Sequence, residues 1–472
     1  MPDTISTNRP PRRVLTVLAT PVRAESRALL AQNWDALPES LRTGQQMLGV
    51  QGNGCGATIG AMPRCDFACR GCYLGEAANK IPAQPVDAIK AQMRALRPVL
   101  GPDGNLQLTD GEVTLRPDDE VIELLQYAHS LELVPMLMTH GDSFRRRSGL
   151  LERYLTEGDL VEVSIHVDTT QRGRRGAEYK GVTSEAQLNP LRDEFVQLLS
   201  DAQQRTGRTL RAATTMTVTR DNLDGVHDVM HWLTGGQKVF RMISFQPIAQ
   251  VGRTEDGFGG GVTGEALWWR IAFALTGGDR RKAEELLRSQ VWFGHPSCNR
   301  ILHGLVAHRE GEAPVFHALR PSADAPHADT VDEFFRRFGG VSFKTDTTRT
   351  AIARALGIAL KAPGFVFMRL PGYFWHWLER LGSGAPLQTL RDLISGRLKI
   401  QPLVIVSHHF MSRDELHTEE GQARLANCVF HVPINGELKS MCEVNALGIR
   451  DEYYASLMNA GATIAVERVT TP

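Results

Sequence analysis

The stretch CGATIGAMPRCDFACRGCYLG, residues 55–75, holds four of the seven cysteines in this 472-residue chain. Three of them, Cys65, Cys69 and Cys72, follow the spacing C-x3-C-x2-C. Thiolates are the ligands that iron–sulfur clusters use, and cysteines at short fixed spacings can hold one cluster from a single loop. Three protein ligands leave one iron of a cubane [4Fe–4S] cluster without a protein thiolate. The stretch therefore predicts a reactive cluster whose open iron binds a small molecule.

Other roles of clustered cysteines fit this spacing poorly. A structural zinc site closes with four ligands, whereas this loop offers three and no histidine follows at a suitable short distance. Disulfides are not expected in a chain with seven cysteines and no secretory signal. Ordinary buried thiols are the remaining alternative, but the arginine, glycine and aspartate between these cysteines are not typical of a protein core.

The cysteine loop resembles that of the radical S-adenosylmethionine (SAM) superfamily. In that family the three cysteines hold a [4Fe–4S] cluster, and the amino and carboxylate groups of SAM bind its fourth iron. An electron from the cluster cleaves SAM, and the resulting 5′-deoxyadenosyl radical abstracts a hydrogen atom. The family usually has an aromatic residue before the third cysteine, but this chain has Gly71 there. We expect Tyr73, directly after that cysteine, to cover the cluster instead.

The composition sets limits on the partners. Hydrophobic residues make up 42% and charged residues 22%, as in ordinary globular proteins, and 53 basic residues balance 53 acidic ones. This balance argues against a broad nucleic-acid surface, so no nucleic-acid partner is expected. No apolar run is long enough to span a membrane, and the segment VLTVLA, residues 14–19, is too short for a signal-peptide core. The sequence therefore predicts a cytoplasmic protein.

Between residues 51 and 255, short β-rich runs alternate with amphipathic helical runs in six β/α units. Such alternation predicts a parallel sheet with helical crossovers, and six units make a partial barrel. The radical SAM core is a partial barrel of six units, so the resemblance implies the same α/β fold class.

The rest of the chain divides into three further parts. We expect an N-terminal arm over residues 1–50, a mostly helical substrate region over 256–399, and a C-terminal α+β extension with a β-hairpin over 400–472. The Gly-rich run at residues 252–264 predicts a linker or a lid after the barrel.

Polar residues stand where the second strand is expected to end, and ligands in such sheets bind at the carboxyl ends of the strands. Asp110, Gly111 and Glu112 match, with one substitution, a Gly-Gly-Glu segment of the family. The resemblance implies that this segment holds the amino group of SAM. The alternative is a plain strand-to-helix turn in which Thr114 or Asp118 caps the helix.

The fourth strand carries a second group of polar residues. Ser164, His166 and Asp168 lie on one face because side chains alternate along a strand. The resemblance implies contacts from this strand to the ribose and carboxylate of SAM, and Ser164 and Asp168 are the residues chosen for them. His166 is either a third contact or a hydrogen-bonded histidine inside the barrel.

Four cysteines remain outside the loop motif: Cys55, Cys298, Cys428 and Cys442. Four thiolates are what a fully ligated auxiliary [4Fe–4S] cluster needs, so we expect these four to converge. Asn435 and Gly436 predict a two-residue hairpin turn, which would place Cys428 and Cys442 on opposite faces unless the strands end first or a bulge intervenes. The alternative is that at least two of them are structural thiols.

The cysteine loop, the later HPSC run at residues 295–298 and the C-terminal cysteine pair are similar to one radical SAM branch. That branch contains archaeal tetraether lipid synthases and the methylases that modify the pterin of methanopterin, which carry extra metal sites. The resemblance implies a reductant such as flavodoxin or ferredoxin.

The aromatic run at residues 361–378 predicts either a packed helix or an apolar substrate groove or membrane-surface contact. It favours carbon–carbon bond formation or methylation on a hydrophobic, lipid-like substrate over modification of a peptide or small polar metabolite. An iron–sulfur electron carrier or redox sensor without turnover is the alternative from another class. The sequence assigns no catalytic side chain.

Overall fold

The fold is described over most of the chain. A computed structural model describes residues 23–458, apart from 68, 172, 174–178, 180, 255–260, 341–347 and 383–384. Three predictions therefore fall partly outside the described residues: the N-terminal arm at 1–22, the Gly-rich linker at 255–260 and the C-terminal region at 459–472.

Twelve strands form one sheet in the described part of the chain. They are β1 (Cys55–Ala57), β2 (Asn105–Leu108), β3 (Val134–Thr139), β4 (Glu162–His166), β5 (Arg211–Val218), β6 (Phe240–Pro247), β7 (Val291–Trp292), β8 (Asn299–Arg309), β9 (Val315–Ala318), β10 (Leu398–His408), β11 (Phe430–Ile434) and β12 (Glu437–Ser440). Their order is β12-β11-β1-β2-β3-β4-β5-β6-β10-β8-β7, with β9 beside β8.

Strands β1 to β6 are parallel and adjacent in chain order. The sheet curls into a half-barrel. The predicted fold class, a partial (β/α)6 barrel, is confirmed. Parallel strands end at the same edge, so the polar residues that follow β2, β3 and β4 are brought together there.

Helices connect the strands and cover the sheet. They are α1 (Ala24–Ala36), α2 (Val86–Leu100), α3 (Asp118–Ser130), α4 (Asp142–Arg146), α5 (Leu150–Thr156), α6 (Asn189–Thr206), α7 (Val226–Thr234), α8 (Gly264–Thr276), α9 (Arg280–Arg288), α10 (Ala325–Phe338), α11 (Thr348–Lys361), α12 (Leu370–Leu381), α13 (Pro386–Ile394), α14 (Arg413–Leu416), α15 (Glu419–Ala426) and α16 (Met441–Ala446). A π-helix, Phe365–Arg369, precedes α12, and residues 449–458 are helical.

Helix α2 shows why these runs fold as helices on a sheet. Its buried apolar residues recur at helical spacing, at Ile89, Met93, Leu96 and Leu100. They pack in one core with Leu106 of β2. Each fully buried side chain of this size stabilises the fold by about 1.5–3 kcal/mol relative to an exposed one.

The C-terminal hairpin extends the sheet beyond β1. Strand β11 runs parallel to β1, with Cys55 opposite Phe430. Asn435 and Gly436 form the predicted two-residue turn, because Ile434 pairs directly with Glu437. Strand β12 ends before Cys442, and Cys428 precedes β11, so neither cysteine lies in the hairpin ladder.

The region predicted to be mostly helical also contains strands. The eleven-residue β8 pairs antiparallel with β10 over its whole length, and β10 runs parallel to β6. The sequence analysis did not predict β8, because its histidines and glycine interrupt the apolar pattern of a buried strand. The domain boundaries stay predictions, but strands from 256–399 and from 400–472 join the barrel sheet.

None of the described helices is both long enough and apolar enough to cross a lipid bilayer.

A buried ion pair fixes the loop that follows β4. Arg192 of α6 lies 2.5 Å from Glu185, and both side chains are almost fully buried. Arg192 also donates to the carbonyl of Val167, while Glu185 accepts hydrogen bonds from Thr169 and Asn222. The Arg192–Glu185 ion pair therefore links the segments after β4 and β5 to α6. It lies next to the edge of the sheet where the polar residues are gathered.

We predict that Arg192→Leu destabilises the protein by about 3–5 kcal/mol, because it leaves the Glu185 carboxylate buried without its partner. Arg205→Leu is the matched control: Arg205 pairs with Glu152 on the surface, where such pairs contribute about 0–1 kcal/mol. Urea denaturation of both variants measures the difference. Equal losses in the two variants would contradict a stabilising role for the buried pair.

Candidate functional site

A cavity of about 200 Å³ lies at the carboxyl ends of the barrel strands. Its described lining comes from three sources. They are the cysteine loop (Cys65, Cys69, Cys72, Tyr73), the strand ends (Gly111, Glu112, His140, Ser164, His166, Thr215, Thr217, Gln246) and the C-terminal part (Phe410, Met411, Phe430, Met441, Cys442). This is the position at which parallel α/β sheets bind their ligands.

The three loop cysteines line one wall of this cavity. Burial, together with the nearby charges of Glu112 and Cys72, raises the pKa of the Cys65 thiol to about 12. Burial and the charges of Cys72 and Cys65 raise the pKa of the Cys69 thiol well above its usual value. The thiols are thus close enough to repel one another as thiolates. A bound metal deprotonates coordinating thiols, so this donor set fits the predicted cluster.

Gly71 has a left-handed conformation, with a φ of 78°. A Cβ atom there would lie 2.3 Å from the Cδ1 atom of Ile248. The backbone and this neighbour together explain why the chain lacks an aromatic residue at this position. Tyr73 is half-buried and lines the cavity, and the guanidinium of Arg450 lies 4.8 Å from its ring centre.

The side chain of Asp110 is occupied within the protein. Its carboxylate accepts hydrogen bonds from Arg450 at 2.6 Å, from the backbone N–H of Gly60 at 2.6 Å, and from the hydroxyl of Tyr454. Asp110 is not among the described residues that line the cavity. The structure therefore places this predicted SAM contact behind the cavity wall, where it anchors the segment at Arg450.

Glu112 lines the cavity and is buried. Its carboxylate accepts hydrogen bonds from the hydroxyl groups of Thr114 at 2.6 Å and Thr139 at 2.7 Å, and from the backbone N–H of His140 at 2.9 Å. These donors fix the position of the carboxylate at the end of β2. Such an acid can also accept from an ammonium group in the cavity.

Gly111 allows the close approach of two segments. Its φ is 73°, and a Cβ atom there would lie 2.2 Å from the carbonyl of Met62 and 2.6 Å from that of Arg64. The N–H of Glu112 also donates to the carbonyl of Arg64 at 2.9 Å. The end of β2 is therefore pressed against the backbone that leads into the cysteine loop.

The polar residues predicted on one face of β4 have two different roles. Ser164 and His166 line the cavity, and the Ser164 hydroxyl lies 2.9 Å from that of Thr215. Asp168 is buried behind them, 2.5 Å from the ring of His166, and accepts from the N–H of Thr217. Burial alone would raise the pKa of Asp168, but the His166 ring and the hydrogen bonds hold it below its usual value. Asp168 thus orients His166.

Asp66 is a site residue that the sequence analysis did not single out, and it contacts His140, which the sequence places at the end of the third strand. Their side chains lie 2.8 Å apart, and the His140 ring stacks on Phe67 with ring centres 3.8 Å apart. The hydrogen bond from His140 lowers the pKa of Asp66 to about 2. Their ligand atoms come within 4.8 Å of that of Cys65. Because Asp66 lies inside the loop motif, its position beside Cys65 was the available signal.

The segments that carry two cysteines of the second set are in contact. The N–H of Cys55 donates to the carbonyl of Val429, next to Cys428. Burial and the charges of Cys298 and Cys55 raise the pKa of the Cys428 thiol to about 12. Burial, with the charges of Cys428 and Cys298, raises that of Cys442 to about 12 as well. All four thiols are therefore within electrostatic reach of at least one other member of the set.

The distances between ligand atoms limit which metal each cysteine set can hold. Within the described residues, ligand groups that converge to 4.8 Å contain Cys65, Asp66 and His140, or Asp324, His327 and His376. Neither cysteine set is drawn in that tightly. Tetrahedral zinc would hold its sulfur ligands about 3.8 Å apart, given zinc–sulfur bonds of about 2.3 Å. No three thiols of either set in the described chain are therefore drawn together tightly enough for a single zinc ion.

No protein-family model and no curated protein matches the chain. Among solved structures, the anaerobic sulfatase-maturating enzyme anSMEcpe with bound AdoMet is similar, with a TM-score of 0.32 and 10% identity. That match covers 46% of this chain and 57% of the other.

A structure of anSMEcpe with AdoMet and the Cp18Cys peptide has a TM-score of 0.32 and 11% identity, covering 48% and 62% of the two chains. A glycoside hydrolase family 18 N-acetylglucosaminidase from Paenibacillus barengoltzii has a TM-score of 0.26 and 12% identity, covering 56% and 75%. The chain thus spans about three fifths of the anSMEcpe chains that it matches.

We predict that Gly111→Ala lowers both stability and iron content. A methyl group at this position meets two backbone carbonyls, and overpacking of this kind costs about 1–3 kcal/mol. Gly207→Ala is the matched control, because Gly207 has a φ of 66° but no atom within 4 Å of the added Cβ. Thermal melting and iron analysis compare the variants. If both lose the same stability and neither loses iron, close approach at Gly111 does not shape the loop.

Proposed function

We propose that the chain is a radical SAM enzyme in which Cys65, Cys69 and Cys72 hold a [4Fe–4S] cluster. The observation that carries this proposal is that the three thiols of the C-x3-C-x2-C loop line one cavity together with the polar strand ends. When bound and reduced, such a cluster supplies the electron that cleaves SAM to a 5′-deoxyadenosyl radical.

The residues of the chain would bind and orient SAM. Glu112 is suited to accept a hydrogen bond from its amino group, because neighbouring donors already hold the carboxylate in place. Ser164 and His166 present polar groups to the same cavity. Asp110 and Asp168, by contrast, act as positioning residues, because their carboxylates are engaged by Arg450 and by His166.

The remaining wall would exclude water and receive the apolar part of a substrate. Phe410, Met411, Phe430 and Met441 contribute apolar side chains to the cavity. A dry wall protects a reactive radical from side reactions. It supports hydrogen abstraction from an unactivated carbon, in carbon–carbon bond formation or methylation of a hydrophobic, lipid-like substrate. Modification of a peptide or a small polar metabolite is the alternative, with flavodoxin or ferredoxin as the reductant in either case.

The proposal predicts that anaerobically purified, reduced protein converts SAM to 5′-deoxyadenosine, and that Cys69→Ala abolishes this conversion. Chromatography of the nucleoside product measures it. A reduced cluster that stays intact while no 5′-deoxyadenosine forms would reject the enzyme in favour of an electron carrier.

Glu112→Gln tests the amino-group contact. Losing a hydrogen bond to a charged group costs about 1.5–3 kcal/mol, so the KM for SAM should rise about ten- to a hundredfold. Glu123→Gln is the matched control, because Glu123 lies on the surface of α3 and pairs with Lys90. An unchanged KM in Glu112→Gln, with intact folding by thermal melting, would remove Glu112 from the binding site.

We also propose that Cys55, Cys298, Cys428 and Cys442 hold an auxiliary [4Fe–4S] cluster. Supporting this, both hairpin cysteines lie outside the ladder, and the N–H of Cys55 donates to the carbonyl of Val429, next to Cys428. The side chain of Arg424 donates to the Cys298 sulfur at 3.3 Å, which supplies positive charge beside the thiolates. Structural thiols are the alternative for the set.

Iron analysis distinguishes an auxiliary cluster from a set of structural thiols. With two cubane clusters we predict about eight irons per chain in the wild type. Cys298→Ser should retain about four irons, because it leaves the three cysteines of the SAM cluster unchanged. Cys69→Ala should likewise retain about four irons, now in the auxiliary site. About four irons in the wild type, unchanged in Cys298→Ser, would contradict the second cluster without affecting the first.

A further inference from the structure

Three packed helical elements carry an unusual concentration of exposed apolar side chains. Nine of the fifteen large exposed hydrophobic residues of the described chain lie between residues 356 and 394. Six of them define what we call the apolar helical face: Phe367, Met368, Phe374, Trp375, Leu387 and Ile394. The face spans the π-helix, α12 and α13, and α12 contacts both of the other elements. Met368 is 82% exposed and Ile394 80%.

The orientation of α12 is fixed by its polar residues, which point inward. The hydroxyl of Tyr373 donates to the carbonyl of Leu319 at 2.7 Å, and the ring of His376 lies 3.1 Å from Asp324. Arg380 donates to the carbonyl of Ala318 at 3.3 Å. These polar side chains thus form hydrogen bonds or ion pairs with the rest of the protein, whereas the side chains of Phe374 and Trp375 are exposed to solvent. Trp377 of the same helix is buried, so α12 presents apolar side chains on both its inner and its outer side, and the outer ones indicate a partner.

The charge around this face is positive. Residues 361–400 contain six lysines and arginines but two acidic residues, although the whole chain is balanced at 53 against 53. One of the two acids, Asp392, is buried and pairs with Arg309 and Arg397. Lys361 and Arg391 are exposed. An apolar surface surrounded by positive charge is complementary to an apolar phase with an anionic rim.

We propose that the apolar helical face docks on the surface of a membrane that contains anionic lipids. Aromatic rings of this kind are typical of the membrane–water interface, and basic side chains attract anionic headgroups. Helix α12 has twelve residues and is about 18 Å long, too short for a hydrocarbon core of about 30 Å, so the face lies on the bilayer.

A second copy of the chain fits the face less well than a membrane does. A symmetric dimer would bring the same patch of each copy together, and so would place the two basic surfaces opposite each other. Juxtaposed like charges oppose association, whereas anionic headgroups neutralise them. Docking does not rest on the proposed function, but a membrane-bound enzyme would have direct access to a lipid-like substrate.

Vesicle co-sedimentation of the full, cluster-loaded chain tests the proposal. Phosphatidylcholine vesicles with phosphatidylglycerol should bind the protein, and binding should weaken with salt and with phosphatidylcholine alone. The double variant Phe374→Ser, Trp375→Ser should bind about tenfold more weakly, since two apolar side chains no longer insert. Lys361→Gln should lose about fivefold, for a contribution near 1 kcal/mol per basic residue.

Leu447→Ser is the control, because Leu447 is also exposed but lies outside this face. It should bind like the wild type, and thermal melting should show that all variants fold. No binding to phosphatidylglycerol vesicles at low salt would overturn the proposal, as would equal binding by the double variant. A wild-type dimer that the double variant converts to monomer would replace the membrane with a second copy. SAM cleavage is measured in the same preparation. Protein that cleaves SAM but does not bind vesicles would overturn membrane docking and leave the proposed function standing.

Discussion

Loops from the two ends of the curled sheet are in contact, and the rest of the structure depends on this closure. Gly294, just after β7 at one end, approaches the carbonyl of Asn427, just before β11 near the other. Val429 packs with Leu37 and Leu48 of the N-terminal segment, and Phe293 packs against this group. Open strand edges invite pairing with other strands, so covering them protects the sheet from edge-to-edge association. The same closure carries Cys298 towards Cys428, which no local property of either segment requires.

A second long-range contact joins the end of the described chain to the site. Arg450 and Asp110 form a buried ion pair, and the Arg450 guanidinium also stacks on Tyr73. Burial alone would lower the pKa of Arg450, but Asp110 raises it. Because breaking a buried pair costs about 3–5 kcal/mol, residues 449–458 are held firmly against the cysteine loop. Residues 449–458 thus support the cysteine loop without lining the cavity themselves.

The parts that the sequence predicted well depend on local patterns. The six β/α units follow from alternating apolar periodicity, and the hairpin turn follows from Asn435 and Gly436, both of which adopt positive φ. The parts that it missed depend on contacts between distant residues. The pairing of β11 with β1 and the whole of β8 belong to this group. So does the direction of Asp110, which matches a family motif by position while its carboxylate turns towards Arg450, 340 residues away.

One cysteine of the second set, Cys442, lies in the same cavity as the three cysteines of the loop. Cys442 lines the cavity together with Cys65, Cys69 and Cys72, and its sulfur accepts from the N–H of Met411. Phe430 and Met441 line the same cavity. Strand β11 pairs with β1, so the segment that carries Cys428 lies beside the one that carries Cys55. The C-terminal part therefore contributes both to the cavity wall and to the second cysteine set, and only strand pairing between distant parts of the chain brings this about.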